Sequence, residues 1–405
     1  MSTSKLAQLL NIGFGIRDVI IKSFDIIEKV VIFRCNLKKC LKRCSKCRSH
    51  DVQVKETKVR RLRMVPLGIM KCFLEITVHK FKCRRCGACQ WVDLPFAIGK
   101  FPMTKAFANH ILSLVKLGTV QAIASFLDIQ WKTVKAIHKD WLSAKYAKIS
   151  YRDLIYLSVD EFSIKKGHKY MTVFTDIRTG QIIYAVEGRK AEDIETFLKA
   201  LAKKAPKLKA IAMDLSPSYI SAVKTHLPGV DIVFDRFHVM KLLNESLDEL
   251  RRKERNKYMA AGQNIGKGDR FLYLRNFDDL DDAQRTRLDR LFKINVDLAK
   301  AHAMKEQFRL FWEKGSKEEA AGFLCHWVFE AYRSGIRPLQ RAAKTILRHS
   351  QGLLSYFDHH ISNGKAEGVN NKIKVLKRTA YGYRDTEYFK LLLFDLHEKT
   401  TQLVG

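Results

Sequence analysis

From residue 151 onward the chain reads strand, strand, strand, helix, strand, helix, strand, and this order constrains the fold more than any other feature. Apolar, β-rich runs at 154–159, 170–176 and 181–187 precede a helical pattern at 191–203, a run at 210–213, a second helical pattern at 218–225 and a last run at 231–234. A three-strand meander followed by α/β units predicts a mixed sheet with helices packed on it. Two of the runs end on a carboxylate: LIYLSVDE carries Asp160 and AIAMD carries Asp214. If the first and fourth strands are neighbours, the two acids meet at one end of the sheet.

A third acidic segment lies far downstream. SNGKAEGVNNKIK, residues 362–374, opens a polar, basic helix in which Glu367, Asn371 and Lys374 share one face. Alone, Glu367 reads as part of a solvated helix. Together, Asp160, Asp214 and Glu367 could converge on two divalent cations, a pair that activates a water or a 3′-hydroxyl in phosphodiester chemistry. Mg²⁺ (or Mn²⁺) suits a few carboxylates with positions left for water and phosphate. DIVFDRFHVM adds Asp235 and His238 just after the fifth strand, and Lys372, Lys374, Lys377 and Arg378 form a basic surface along the late helix. The charged, amphipathic stretch 241–349 reads as several helices inserted before Glu367. A separate C-terminal helical domain is the alternative.

The first hundred residues have a different chemistry. Eight of the nine cysteines fall between Cys35 and Cys89. In a reducing compartment such a cluster reads as metal binding rather than disulfides. Cys44-x2-Cys47 and Cys83-x2-Cys86 flank the strand-like stretch 60–79, and two such pairs make a four-thiolate Zn²⁺ site. Cys89 could replace Cys86, and Cys35 with Cys40 is an alternative first pair. Cys72 and Cys325 read as ordinary buried cysteines. Next, VQAIASFL, a three-residue turn and WKTVKAIHKDW have helix-turn-helix spacing, with Lys132, Thr133, Lys135 and His138 as candidate DNA-facing residues. An ordinary helical hairpin has the same apolar pattern.

Charge points to the partner. With 74 Lys and Arg against 42 Asp and Glu, the formal charge is +32. The basic residues are spread over several segments, which favours an extended surface for a polyanion, with DNA first. No apolar run approaches the ~20 residues of a membrane span, and no secretory signal is evident. These features predict a cytoplasmic, nucleoid-associated protein without a membrane partner.

DEFSIKKGHKY (160–170), DLSPSYISAVKTHLP (214–228), DRFHVMKLLNE (235–245) and SNGKAEGVNNKIKVLKRTAYGYR (362–384) resemble, in this order, the DDE transposases of bacterial insertion sequences, specifically the ISL-three family. The resemblance runs along most of the chain. It implies a multidomain α/β protein: a zinc-binding module at 1–98, a helix-turn-helix at 99–149, and an RNase H-like catalytic core at 150–240 and 350–405 interrupted by an α-helical insertion at 241–349. It makes Asp160, Asp214 and Glu367 the catalytic triad and Asp235 and His238 an accessory D-x-x-H element. Arg48 follows Cys47 where the family commonly has glycine. The function so implied is recognition of terminal inverted repeats, cleavage there, and joining of 3′-hydroxyls to target double-stranded DNA by a homodimer. The alternative is a transposase-derived DNA-binding regulator without catalysis. A nuclease indifferent to the repeats is a third reading.

Overall fold

The computed structural model describes residues 3–99, 101–165, 169–361, 364–380 and 382–398. The chain divides into two compact units, with the break between Lys145 and Tyr146.

The first unit begins with helix α1 (Thr3–Phe14) and strands β1 (Val19–Ile27), β2 (Val30–Leu37), β3 (Val52–Leu67), β4 (Met70–Cys83) and β5 (Cys89–Trp91). They form one sheet in the order β1-β2-β4-β3, with β5 on β4. β3 and β4 are a long hairpin whose turn begins at Gly68, at φ +60°, a conformation that costs glycine little. Along β4 the residues Cys72, Leu74, Ile76 and Val78 are buried at every second position, the alternation expected of a sheet with one face in a core. Leu62 and Met64 of β3 and Phe33 of β2 complete that core.

Three helices follow: α2 (Lys105–Leu114), α3 (Val120–Leu127) and α4 (Trp131–Lys145). Thr104 and Thr119 cap the first two by accepting from the backbone N–H groups of Phe107 and Ala122, each cap contributing about 1 kcal/mol. Asp128, left-handed at φ 51°, ends α3 and turns the chain into α4. Ile123 and Leu127 of α3 pack with Val134 and Ile137 of α4 on Phe107 and Ile111 of α2.

The second unit is built on β6 (Tyr156–Lys165), β7 (Lys169–Asp176), β8 (Ile182–Glu187), β9 (Ala210–Met213) and β10 (Asp231–Phe234), in the order β10-β9-β6-β7-β8. β6, β7 and β8 are an antiparallel meander, whereas β9 and β10 join in parallel. β6 and β9 are therefore neighbours, which meets the condition for Asp160 and Asp214 to share one end of the sheet. β6 does not stop at Asp160. It runs on to Lys165 because its hairpin with β7 keeps pairing as far as Lys165 opposite Lys169.

Helices α5 (Ala191–Lys204) and α6 (Pro217–His226) cover one face of this sheet. The chain between β10 and residue 360 is helical: α7 (Arg236–Ala260), α8 (Arg270–Leu274), α9 (Asp282–Ile294), α10 (Val296–Phe308), α11 (Lys317–Arg333), α12 (Arg337–Arg348), α13 (Ser350–Leu354) and α14 (Tyr356–His359). These helices do not build a core of their own. Leu243, Leu288, Trp327 and Ile346 belong to the same continuous buried cluster as Leu157, Ile211 and Phe234 of the sheet. α15 (Gly364–Thr379) and α16 (Thr386–Phe394) pack on the opposite face, where Val369, Ile373, Phe389 and Leu393 meet Met171, Val173 and Ile182.

Candidate functional site

Sheet register assembles the acidic site. β6 and β9 pair Tyr156 with Ala210 through Ser158 with Ala212. Carried two residues further, that register sets Asp160 opposite Asp214. β9 and β10 pair Met213 with Phe234, so the next step sets Asp214 opposite Asp235. Side chains alternate across a strand. Leu157, Val159, Ile211, Met213, Ile232 and Phe234 enter the core under α5 and α6. The three aspartates have the other parity and share the face that α15 covers.

The contacts agree with that placement. Asp160 accepts from the Glu161 backbone N–H at 2.7 Å and from the side-chain amide of Asn370 on α15. Burial raises its pKa above the usual carboxylate range, the two hydrogen bonds pull it back, and the negative charge of Asp214 raises it further. Asp235 caps α7 by accepting from Phe237 N at 3.2 Å. Nδ1 of His238 lies 3.1 Å from Asp235 Oδ2, within hydrogen-bonding geometry, and 2.8 Å from Asp214 Oδ1. The second contact is close but not aligned, so Asp214 Oδ1 is buried without a hydrogen-bond donor. Burial pulls the His238 imidazolium down, yet the two carboxylates more than offset it and bring its pKa to about 9.

Ligand atoms of Asp214, Asp235 and His238 all lie within 4.8 Å of one another. A carboxylate-rich donor set with an orphaned buried oxygen fits a hard divalent cation. Glu367 falls in α15 one turn before Asn370, but its side chain lies outside the described residues.

Three residues of this site lie outside the sequence expectations. Asn370 follows Glu367 by three positions on one helix, so a search for partners of Asp160 one turn along would have found it; Asn371 is exposed instead. Glu161 and Tyr219 form the other group. The Tyr219 hydroxyl sits 3.4 Å from Glu161 Oε2 and 2.8 Å from Thr172 Oγ1, tying the start of α6 to β6 and β7 beside Asp160.

The late basic helix is only partly free. Lys372, Lys374 and Arg378 are exposed. Lys377, expected to face DNA, is turned inward instead: its ammonium donates to the Ser163 carbonyl and lies 5.8 Å from the Phe162 ring. Burial lowers its pKa. The reason is helical phase: Lys377 follows Asn370 by seven residues and so returns to the face turned toward β6.

The cysteine cluster resolves the alternatives left by the spacing. Cys44 and Cys86 sulfurs are 3.6 Å apart, Cys47 and Cys83 sulfurs 3.5 Å, and all four lie within 4.8 Å of one another. Two equivalent knuckles make this possible. In one, Arg48 N donates to Cys44 O at 2.9 Å; in the other, Gly87 N donates to Cys83 O at 3.0 Å. Both residues after the second cysteine are left-handed, Arg48 at φ 59° and Gly87 at φ 70°. Arg48 thus takes the glycine conformation at a cost of roughly 1–2 kcal/mol.

Hydrogen bonds from the Cys47 and Lys46 backbone lower the Cys44 thiol to about 6 despite burial. The Ser49 backbone also pulls Cys47 down, but burial and the neighbouring sulfurs hold it up at about 11. Four cysteine sulfurs gathered within 4.8 Å of one another fit the tetrahedral thiolate coordination that Zn²⁺ prefers. Cys89 sits in β5 opposite Lys82, and Cys35 is buried in β2 with its thiol pushed up to about 12 by burial. Cys72 is buried as expected, whereas Cys325 is exposed on α11, contrary to its reading as a core residue.

In α3 and α4, Lys132 is exposed and Thr133 and Lys135 are half-buried. His138 is not on a reading surface. It is 3% exposed, its ring stacked 6.2 Å from Trp141, because it falls in line with buried Val134 and Leu142 at four-residue spacing.

A transposase family profile matches residues 157–393. The chain is 33% identical over 353 residues to the transposase for insertion sequence element IS1001 of Bordetella parapertussis, covering 86% of this chain and 87% of the relative. It is 28% identical over 374 residues to the transposase for insertion sequence element IS1557 of Mycobacterium tuberculosis, covering 86% and 84%. Among solved structures it is similar, at TM-score 0.41 and 10% identity over 73% of this chain and 92% of the other, to a chain of the Drosophila P element transposase strand transfer complex. A profile spanning more than half the chain, a relative matched nearly end to end, and acids assembled on one sheet face lead to one conclusion: the chain belongs to the ISL-three family of DDE transposases.

Proposed function

We propose that this protein is the transposase of its own insertion sequence, acting on the terminal inverted repeats by cleavage and 3′-end joining. The observation that carries the reading is the register alignment of Asp160, Asp214 and Asp235 on one sheet face, with a buried Asp214 oxygen lacking a donor. The strand order β10-β9-β6-β7-β8, meander first and parallel strands after, supports an RNase H-like core with the helices from α7 to α12 as its insertion.

Asp160, Asp214 and Glu367 would hold the Mg²⁺ (or Mn²⁺) ions. Bound there, the ions supply Lewis acidity at the scissile phosphate and lower the pKa of the attacking water. The protein groups act by position and charge. Asn370 and the Glu161 N–H fix one rotamer of Asp160. His238 orients Asp235 and offsets part of the negative charge beside Asp214. Lys372, Lys374 and Arg378 are placed to meet phosphates on any sequence.

The four-cysteine module with Zn²⁺ and the α3–α4 pair would bind the repeats. Joining two ends requires that both be held at once, so a homodimer is the expected assembly. No described helix is long and apolar enough to cross a membrane.

The deciding experiment incubates the full-length protein with a duplex carrying the element's end, with and without Mg²⁺. Metal-dependent nicking at the repeat boundary is the expected result. Repeat binding without nicking would leave a regulator, and nicking indifferent to the repeat would leave a general nuclease.

A further inference from the structure

The turn between α3 and α4 borders an open cleft of about 460 Å³ lined by Gln121, Ser125, Asp128, Gln130, Trp131 and Lys132. Gln121, Gln130, Trp131 and Lys132 all present exposed side chains at its rim. Trp131, the first residue of α4, is 45% exposed and makes no ring contact among the described residues. A tryptophan is an expensive side chain to leave in water, since burying an aromatic of its size removes 150–250 Å² of surface. Asp128, the one acid here, already has its partner: Lys71 of β4 holds it as an ion pair. The charge left at the cleft is the exposed Lys132, in a chain of net +32, so the complementary occupant is a polyanion.

We infer that Trp131 and Gln130 read an A·T base pair in the terminal repeat, Trp131 packing on the thymine 5-methyl and Gln130 engaging adenine. This rests on the helix-turn-helix reading above and sharpens it, because burial removes His138 from the reading surface and leaves the N-terminal end of α4 to supply the contacts. The chemistry matches the major groove. There adenine presents N7 and the N6 amino group, which a glutamine amide can meet in pairs, and thymine presents its methyl to apolar side chains. Residues at the N-terminal end of a recognition helix are those that reach base edges.

The test uses the full-length, zinc-loaded protein and a duplex of the element's own end, with each thymine in turn replaced by uracil. That exchange deletes only the methyl. One position should weaken wild-type binding about 3- to 5-fold, the value of one buried methyl-sized group. Trp131→Ala should bind the natural repeat correspondingly less well and become indifferent to uracil at that position. Trp131→Phe should keep part of the discrimination. Gln130→Ala should lose roughly 5- to 100-fold preference for the same or the adjacent A·T pair.

An unchanged uracil map in Trp131→Ala, with unfolding temperature preserved, overturns the proposal. If Lys132→Ala and Thr133→Ala still reduce repeat preference in that case, the helix-turn-helix reading survives and only this assignment fails. If all these variants keep full preference, both fail together. A Trp131→Ala variant that changes the oligomeric state but not DNA binding also overturns the proposal and makes the cleft a protein interface.

Discussion

The cysteine cluster and the acidic cluster solve the same problem, holding several negative groups close together, by opposite means. The four sulfurs come from two local knuckles, each closed by its own backbone hydrogen bonds and each followed by a left-handed residue. One hairpin, β3 with β4, brings the knuckles together. The three aspartates come from strands separated by whole helices, and only the parallel register of β6, β9 and β10 aligns them. Structural zinc sites contribute folding free energy directly, so under the proposed Zn²⁺ assignment the first kind should depend on its ion for folding. The second kind is positioned by a sheet with packed apolar clusters on both faces, so its geometry should outlast loss of the ion.

The largest expected effect tests the acidic half of this contrast. Asp160→Asn and Asp214→Asn should each slow end cleavage by at least about 10³-fold, some 4 kcal/mol of transition-state stabilisation, while repeat binding changes little. Glu367→Gln should behave alike. Cleavage assayed beside gel-shift binding checks this. Near-normal cleavage by Asp214→Asn with none by Asp235→Asn would transfer the second metal position to Asp235.

Removing zinc comes next. Chelation should erase amide-exchange protection along β3 and β4 and abolish repeat preference, leaving β6 and β9 protected. Zinc content should fall in Cys86→Ser and persist in Cys89→Ser and Cys40→Ser. If chelation exposes both sheets equally, the two clusters are not energetically separate.

A smaller effect is expected at Asn370. It supplies a hydrogen bond to a charged group, a type worth about 1.5–3 kcal/mol. Asn370→Ala should cut the cleavage rate roughly 10- to 100-fold with DNA affinity intact, read in single-turnover cleavage. An unchanged rate would mean that the Glu161 N–H alone holds Asp160.

The smallest effect concerns the basic helix. Neutralising Lys372 or Lys374 should lower the salt slope of DNA binding by about 1 each. Lys377→Met should leave the slope unchanged, because its ammonium is engaged at Ser163. A full unit lost at Lys377 would show that it leaves Ser163 for a phosphate.

Much of this protein was legible from residue order. Apolar, β-rich runs marked the five strands of the second unit, the two Cys-x2-Cys pairs marked the knuckles, and the turn at Asp128 marked the break between α3 and α4, because each of these is a local signal within a few residues of its cause. What lay beyond was phase and partnership. Whether Lys377 faces solvent, whether His138 is buried, and whether Asn370 or Asn371 meets the sheet differ by a single step of 100° around a helix, and sequence spacing fixes such steps only once the packing face is known. The choice of Cys86 over Cys89 turned on β5 pairing with β4, which sets Cys89 opposite the exposed Lys82 rather than the buried Cys83. The continuity of the helices between β10 and α15 with the sheet's core likewise depended on contacts far apart in the chain. The sequence by itself determined which groups could do chemistry, because donor type and local turns are written residue by residue. Only the tertiary structure decided which of them meet, because strand register and helix phase are set by what each element buries against.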